Sequence, residues 1–269
     1  MANPEHLVWL KQGVAVWNQQ RQAVSNLDLT ETDLSRQDLS QVDFRNVNLS
    51  RTNFYRADLT GANLSGATLT RAMLAEADLT QACLNQADLT SAVLNHATLT
   101  TADLLESILV SADLTGANLR GADLSHANLI AAELKQVSLQ GAILSGASLQ
   151  RANLTMAIAI ATNFSDANLT GANLYRAELG RARCDRAIFH HAKLVNAHLV
   201  GGYFFAADFQ AALLSQADLA WSDLTKATFT HANLSSANLR GAILDRTNFT
   251  DANLVEADLH GATLSQTTF

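Results

Sequence analysis

From Leu29 to Phe269 a five-residue phase runs with no insertion or deletion, and a large residue occupies nearly every central position. The pattern is purest between Ala57 and Leu104, which begins ADLTG ANLSG ATLTR AMLAE ADLTQ. With the large residue of each pentad named i, Leu59 is i, Ala57 is i−2 and Asp58 is i−1. Neither regular element can bury such a period. On an α-helix every fifth residue advances by about 140°, which spreads the leucines around the surface. In a straight strand every fifth residue changes face, so half of them would meet water. A chain that makes one short extended side, turns a corner and starts the next side with the same facing buries them all. Residues i and i−2 then point inward, and i−1, i+1 and i+2 point outward. Stacked coils pair backbone with backbone at a spacing of roughly 4.8 Å.

Two features set the number of sides at four. Phe189, Phe209, Phe229, Phe249 and Phe269 recur at i every twenty residues. Gly61, Gly121, Gly141, Gly201, Gly241 and Gly261 share one corner position, separated by multiples of twenty. The forty-nine central positions would make about twelve coils, a rod of roughly 58 Å at the strand spacing. Large Leu alternating with small Ala fills a narrow square bore, which a second bulky residue at i−2 would overpack.

These pentads resemble the pentapeptide-repeat family, whose motif A(D/N)LXX is spelled by Ala57-Asp58-Leu59 and Ala62-Asn63-Leu64 and their successors through residues 29 to 269. The resemblance implies an all-β solenoid, a right-handed quadrilateral β-helix. It implies little about activity, and the family's best-understood branch binds DNA gyrase by imitating DNA.

Composition narrows the function classes. Of 269 residues, 48% are hydrophobic, ample for a core, and a continuous repeat reads as one domain. The net charge of −7 disfavours direct nucleic-acid binding, which leaves a basic footprint. No apolar run approaches the roughly 20 residues of a membrane span, and the start MANPEHLVWLKQG does not read as a signal peptide. Cys83 and Cys184 fall at an outward and an inward position five coils apart, too far to pair, so a cytoplasmic location is expected. Glycine-rich phosphate loops, HExxH, GxSxG and CxxC are all missing from the sequence. His190 and His191 share one corner and His198 falls two sides further round, so no metal site is expected from them. The chain therefore reads as a non-catalytic structural or interaction protein with no cofactor, presenting a rigid rod-like surface to an unidentified protein partner. The alternative is a DNA-mimicking binder of DNA gyrase or topoisomerase. Against it, 18 Lys and Arg offset 25 Asp and Glu, and arginines such as Arg51, Arg56, Arg71 and Arg186 break up a negative face. The i−1 Asp and Asn residues are expected to hydrogen-bond nearby turn backbone instead.

Residues 1–26 differ from residues 27–269. Asn3, Pro4 and Glu5 form a helix start, and Leu7, Leu10, Val14 and Trp17 fall on one helical face, with Asn18 and Arg21 largely away from it. One amphipathic helix over 3–24 is expected, capping the first coil so that its edge cannot pair with another chain. At 155–162 Ala159 replaces the central leucine, where a local cavity or slight bend is expected.

Between Val200 and Ile243 outward positions turn apolar. Tyr203, Phe205, Trp221 and Ile243 form a candidate partner patch. Phe249 and Phe269 are candidates for an end-to-end contact, in which two rods form a homodimer through an uncapped last coil.

Overall fold

The computed structural model describes residues 3–24 and 26–269, in two units, Met1–Glu133 and Leu134–Phe269. Within each unit, parallel bridges join an i−1 residue to the one twenty further on. Asp58↔Asp78 is an example in the first unit, and Asp218↔Asn238 in the second. Twenty residues thus make one four-sided coil. Three hydrogen bonds per pentad run along the stack. Leu59 N–H donates to Asp78 O (2.7 Å), Gly61 N–H to Thr80 O (2.9 Å), and Asp78 N–H back to Ala57 O (3.0 Å). A fourth closes the corner, from Ala62 N–H to Leu59 O (2.9 Å).

That corner requires the i+2 residue to be left-handed. Glycine does this freely, as at Gly61 (φ 62°), yet Arg51 (56°), Gln81 (58°) and even Trp221 (60°) hold the same conformation. The left-handed region costs a non-glycine residue roughly 1–2 kcal/mol. Hydrogen bonds to the coils on either side enforce it.

Inside, Leu and Ala of successive sides close the bore. In the second unit the phenylalanines stack face to face: Phe189–Phe209 at 4.6 Å between ring centroids, Phe209–Phe229 at 4.7 Å and Phe229–Phe249 at 5.1 Å. Where phenylalanine enters a second column, at Phe164 and Phe204, nearby inward positions shrink. Ala159 precedes Phe164 by one side, Cys184 lies between the two rings in the column, and Gly202 takes the place of alanine beside Phe204. A Cβ on Gly202 would meet the Phe204 ring at 2.6 Å and the Leu199 carbonyl oxygen at 3.0 Å. We expect Gly202→Ala to cost about 1–3 kcal/mol through overpacking, although alanine is the usual residue at this position of the repeat. A urea-unfolding midpoint equal to that of the parent would show that the ring yields freely. At Ala159 the ladder runs on unbroken, with Ile158 bridged to both Ser138 and Glu178.

Inward hydroxyls find carbonyls. Thr52, Thr162 and Thr247 donate to Leu29 O, Leu139 O and Leu224 O, each a central carbonyl one coil back, at 2.7–2.8 Å.

The expected single N-terminal helix is two: α1, Pro4–Lys11, and α2, Val14–Gln20, followed by a 3₁₀ turn at Arg21–Ala23. Gly13 at φ 108° makes the break. Asn3 caps α1 by accepting from Glu5 N–H (3.0 Å), and His6, Leu10 and Trp17 are buried. Trp17 sets its ring edge-on to Phe44 (5.3 Å) and donates its indole N–H to Asp43 O (2.8 Å). The polar residues do not all face solvent, contrary to the helical-wheel reading. Asn18 accepts Asp43 N–H (2.8 Å) and donates to Gln41 O (3.0 Å). Arg21 pairs with the Asp43 carboxylate and donates to Arg45 O (2.7 Å). On another side, Asn3 N–H donates to Asp28 O (3.1 Å), and Asp28 N–H lies 3.2 Å from His6 Nδ1.

Candidate interaction surfaces

The outward i−1 residues are largely occupied by the corners. Asp58 Oδ1 accepts Thr60 N–H (2.9 Å), and Asn63 Oδ1 accepts both the N–H (3.1 Å) and the hydroxyl (2.8 Å) of Ser65. Amide and carboxylate serve alike, which is why the repeat accepts both Asp and Asn. Many of the remaining charges pair between coils. Arg51 reaches Glu31 (3.0 Å), Arg56 reaches Glu76 (2.7 Å), and Arg186 binds Asp166 with two nitrogens (2.6 and 2.7 Å). These are exposed pairs of small energetic weight, but they interleave opposite charges along the corners.

The histidines face separate carboxylates, His190 with Asp208 (2.7 Å) and His198 with Glu178 (3.3 Å). Cys184 is buried, which pushes its thiol well above the ordinary range, and the nearby Asp185 charge adds to this. It is therefore an inert packing group. Cys83 is half-buried beside the Ser65 hydroxyl (3.0 Å). Both cysteines are free thiols. Among the described residues no helix is long and apolar enough to cross a membrane.

In the second unit the apolar outward residues are resolved one by one. Trp221 is 71% exposed. Its indole lies across Gly241, where an added Cβ would be 2.4 Å from the ring. Glycine is thus needed at 241 for the indole to rest on the corner, whereas the space over Gly201 is edged by Arg181. Tyr203 and Ile243 are exposed on one side of the coil, but Asp223 is bridged to both and separates them. Phe205 is 37% exposed, with Lys226 Nζ 5.1 Å above its ring. The patch is therefore a set of aromatic points around one carboxylate and one ammonium. It also extends further than the stretch 200–243. Ile160 and Val200 are exposed at the same corner position as Ala220, the neighbour of Trp221, and Ile158 in Ile160's own pentad and Met156 in the one before are exposed too. The signal for these was available, since 160, 200 and 220 differ by multiples of twenty. At the end of the phenylalanine column Phe249 is buried and Phe269 is exposed, stacked at 5.6 Å.

Comparison with known proteins follows the repeat. The sequence matches the family described as Pentapeptide repeats in eight copies, over residues 28–66, 52–90, 87–125, 107–146, 147–183, 162–201, 203–241 and 232–269. Among solved structures it is similar to HetL, a pentapeptide repeat protein involved in heterocyst differentiation regulation from the cyanobacterium Nostoc sp. strain PCC 7120. Identity is 33% over 92% of this chain and 95% of HetL, with a TM-score of 0.45. AT2G44920, a pentapeptide repeat protein from the Arabidopsis thaliana thylakoid lumen, is 31% identical over 45% of this chain and 70% of its own, with a TM-score of 0.32. QnrB1, a plasmid-mediated fluoroquinolone resistance protein, is 15% identical over 88% and 91%, with a TM-score of 0.31. No curated protein matches. The chain belongs to the pentapeptide-repeat family, whose repeats build right-handed quadrilateral β-helices.

Proposed function

We propose that this protein is a non-catalytic interaction protein, and that the face of its second unit around Trp221 is where a protein partner binds. The observation behind this reading is an exposed indole laid flat over a glycine on an apolar corner, with Tyr203, Phe205 and Ile243 on the adjoining positions. Leaving a tryptophan in water costs hydrophobic free energy, and interface hot spots are enriched in Trp and Tyr. Asp223 and Lys226 within the same face would supply polar specificity. The reading of the acidic columns as a phosphate mimic gains less support, because corner hydrogen bonds and ion pairs occupy many of those carboxylates. In this reading residues 1–26 are a cap and lead-in to about twelve coils, and two free thiols suit a reducing, cytoplasmic setting.

The test is differential capture. Proteins cross-linked to the parent from native lysate are compared with those cross-linked to a Trp221→Ala, Phe205→Ser double variant of unchanged circular dichroism. A partner of this face should bind the double variant about thirtyfold or more weakly, as expected for loss of a hot-spot aromatic. Identical capture by both proteins would remove the proposal.

A further inference from the structure

We propose that the open half of the first coil is a docking site for an extended peptide of a protein partner, one carrying a small residue, a Lys or Arg, and a Leu in succession.

Each side of a coil presents three backbone groups toward the coil before it: the N–H and C=O of i−1 and the C=O of i+1. On the first coil the N-terminal segment engages all three groups of the side centred on Phe44 and the Asp28 N–H and C=O of the side centred on Leu29. Asp28 meets Asn3 and His6, Asp43 meets Trp17, Asn18 and Arg21, and Arg45 O meets Arg21. On the sides centred on Leu34 and Leu39 the same groups of Asp33, Ser35, Asp38 and Ser40 have no backbone or side-chain partner among the described residues. Asp33 and Asp38 edge a groove of about 530 Å³ lying against the break between α1 and α2, with Leu34 and Leu39 as its floor and Leu7, Leu10 and Val14 as its wall. An unpaired strand edge beside an apolar floor is the geometry of strand addition.

A second observation points at the missing occupant. Thr32 lines this groove, and its Oγ1 is buried without a hydrogen-bond partner. Thr52, Thr162 and Thr247, at the same place in later pentads, each donate to a carbonyl one coil back. Thr32 lacks such a carbonyl, which by the same offset would come from the residue three before the peptide's small residue. Buried hydroxyls are rarely left unsatisfied.

The ladder sets the register of the peptide. By analogy with Asn53 N–H→Thr32 O and Leu34 N–H→Asn53 O, the carbonyl of the peptide's small residue accepts Asp33 N–H. The N–H of its Leu donates to Asp33 O, and the N–H two residues later donates to Ser35 O. The next pentad repeats this on Asp38 and Ser40. The residue between the small one and the Leu then lies beside an exposed carboxylate, Asp33 or Asp38. Hydrogen bonds from Ser35 and Ser40 hold both carboxyls below the usual carboxylate range, so both are charged at neutral pH. Lys11 is one cation lining the groove against two carboxylates, and a basic residue on the peptide completes the balance.

The experiment uses the full chain and a fluorescein-labelled peptide, SGAKLSGAKLSG, with SGAELSGAELSG as comparison. Anisotropy should show saturable binding of the first and binding about tenfold or more weaker of the second. The Asp33→Lys, Asp38→Lys double variant should reverse that preference. In amide exchange the first peptide should slow Asp33 and Asp38 and leave Asp28 and Asp43 as they were. Absence of saturable binding, equal binding of both peptides, or protection that spares Asp33 and Asp38 would each overturn the proposal. The variants change exposed side chains at the free edge, and retained protection of the Asp58 amide verifies that the coils beyond remain folded.

Discussion

Phe209→Ala is expected to lower the stability of the second unit by about 3–5 kcal/mol, the usual cost of emptying a phenylalanine site that cannot collapse. Phe209 is fully buried, lies parallel to Phe189 (6° between planes) and to Phe229 (1°), and meets Phe204 at 5.7 Å. Its backbone is held on both sides, with Phe209 N–H on Thr228 O (2.7 Å) and Asp208 N–H on Ala187 O (2.9 Å). The walls of the vacated space therefore have little freedom to close. Phe209→Leu should recover most of the loss and cost less than about 1.5 kcal/mol, because leucine is the ordinary central residue of this bore. Urea unfolding followed by circular dichroism measures both. If the alanine variant unfolds at the same urea concentration as the leucine variant, the vacated site collapses without cost, and the packing account of the twenty-residue phenylalanine period is lost.

The repeat was legible because its chemistry is local. The Leu59 pentad already states which residues face in, and the spacing of Phe189, Phe209 and Phe229 states how many sides close a coil. Gly61 and Gly241 mark a corner position, although the left-handed conformation there is held mostly by other residues. Much less of the N-terminal segment could be read this way. Helical periodicity sorts Asn18 and Arg21 to the polar face, but a coil edge is itself polar, and its unpaired N–H and C=O groups attract such side chains. His6 is likewise buried, its ring beside the Asp28 N–H. The exposure of Tyr203, Phe205, Trp221 and Ile243 was legible residue by residue, but not their arrangement. Asp223 divides Tyr203 from Ile243 because neighbours across coils are twenty residues apart. Ile160 joins Trp221's corner for that reason too. Lys226 covers Phe205 through a side-chain conformation that no periodicity specifies.

Trp17→Ala should produce the second large effect, and a localised one. The indole is fully buried, packs edge-on to Phe44, and supplies Asp43 O with its hydrogen bond. Truncation removes the packing, leaves a cavity over Phe44, and strands a carbonyl that Arg21 alone then serves. The cost should be about 3–5 kcal/mol for the docking of the N-terminal segment. Each coil contacts only its neighbours, so a solenoid spreads such a loss over a short distance. Opening should therefore concentrate at the first coil, while coils further along keep their own ladder. Amide exchange separates these outcomes. The Asp43 amide, bonded to Asn18, should lose most of its protection, whereas the Asp78 and Asp88 amides should change little. Trp17→Phe isolates the polar component: with most of the ring retained, the N–H gone and Arg21 still donating to Asp43 O, the loss should fall to about 0.5–1.5 kcal/mol, the net worth of one hydrogen bond. If Trp17→Ala instead lowers protection evenly from Asp43 to Asp123, the coils unfold as one cooperative block. Docking of the N-terminal helices would then govern the whole first unit, as a nucleus on which its coils depend.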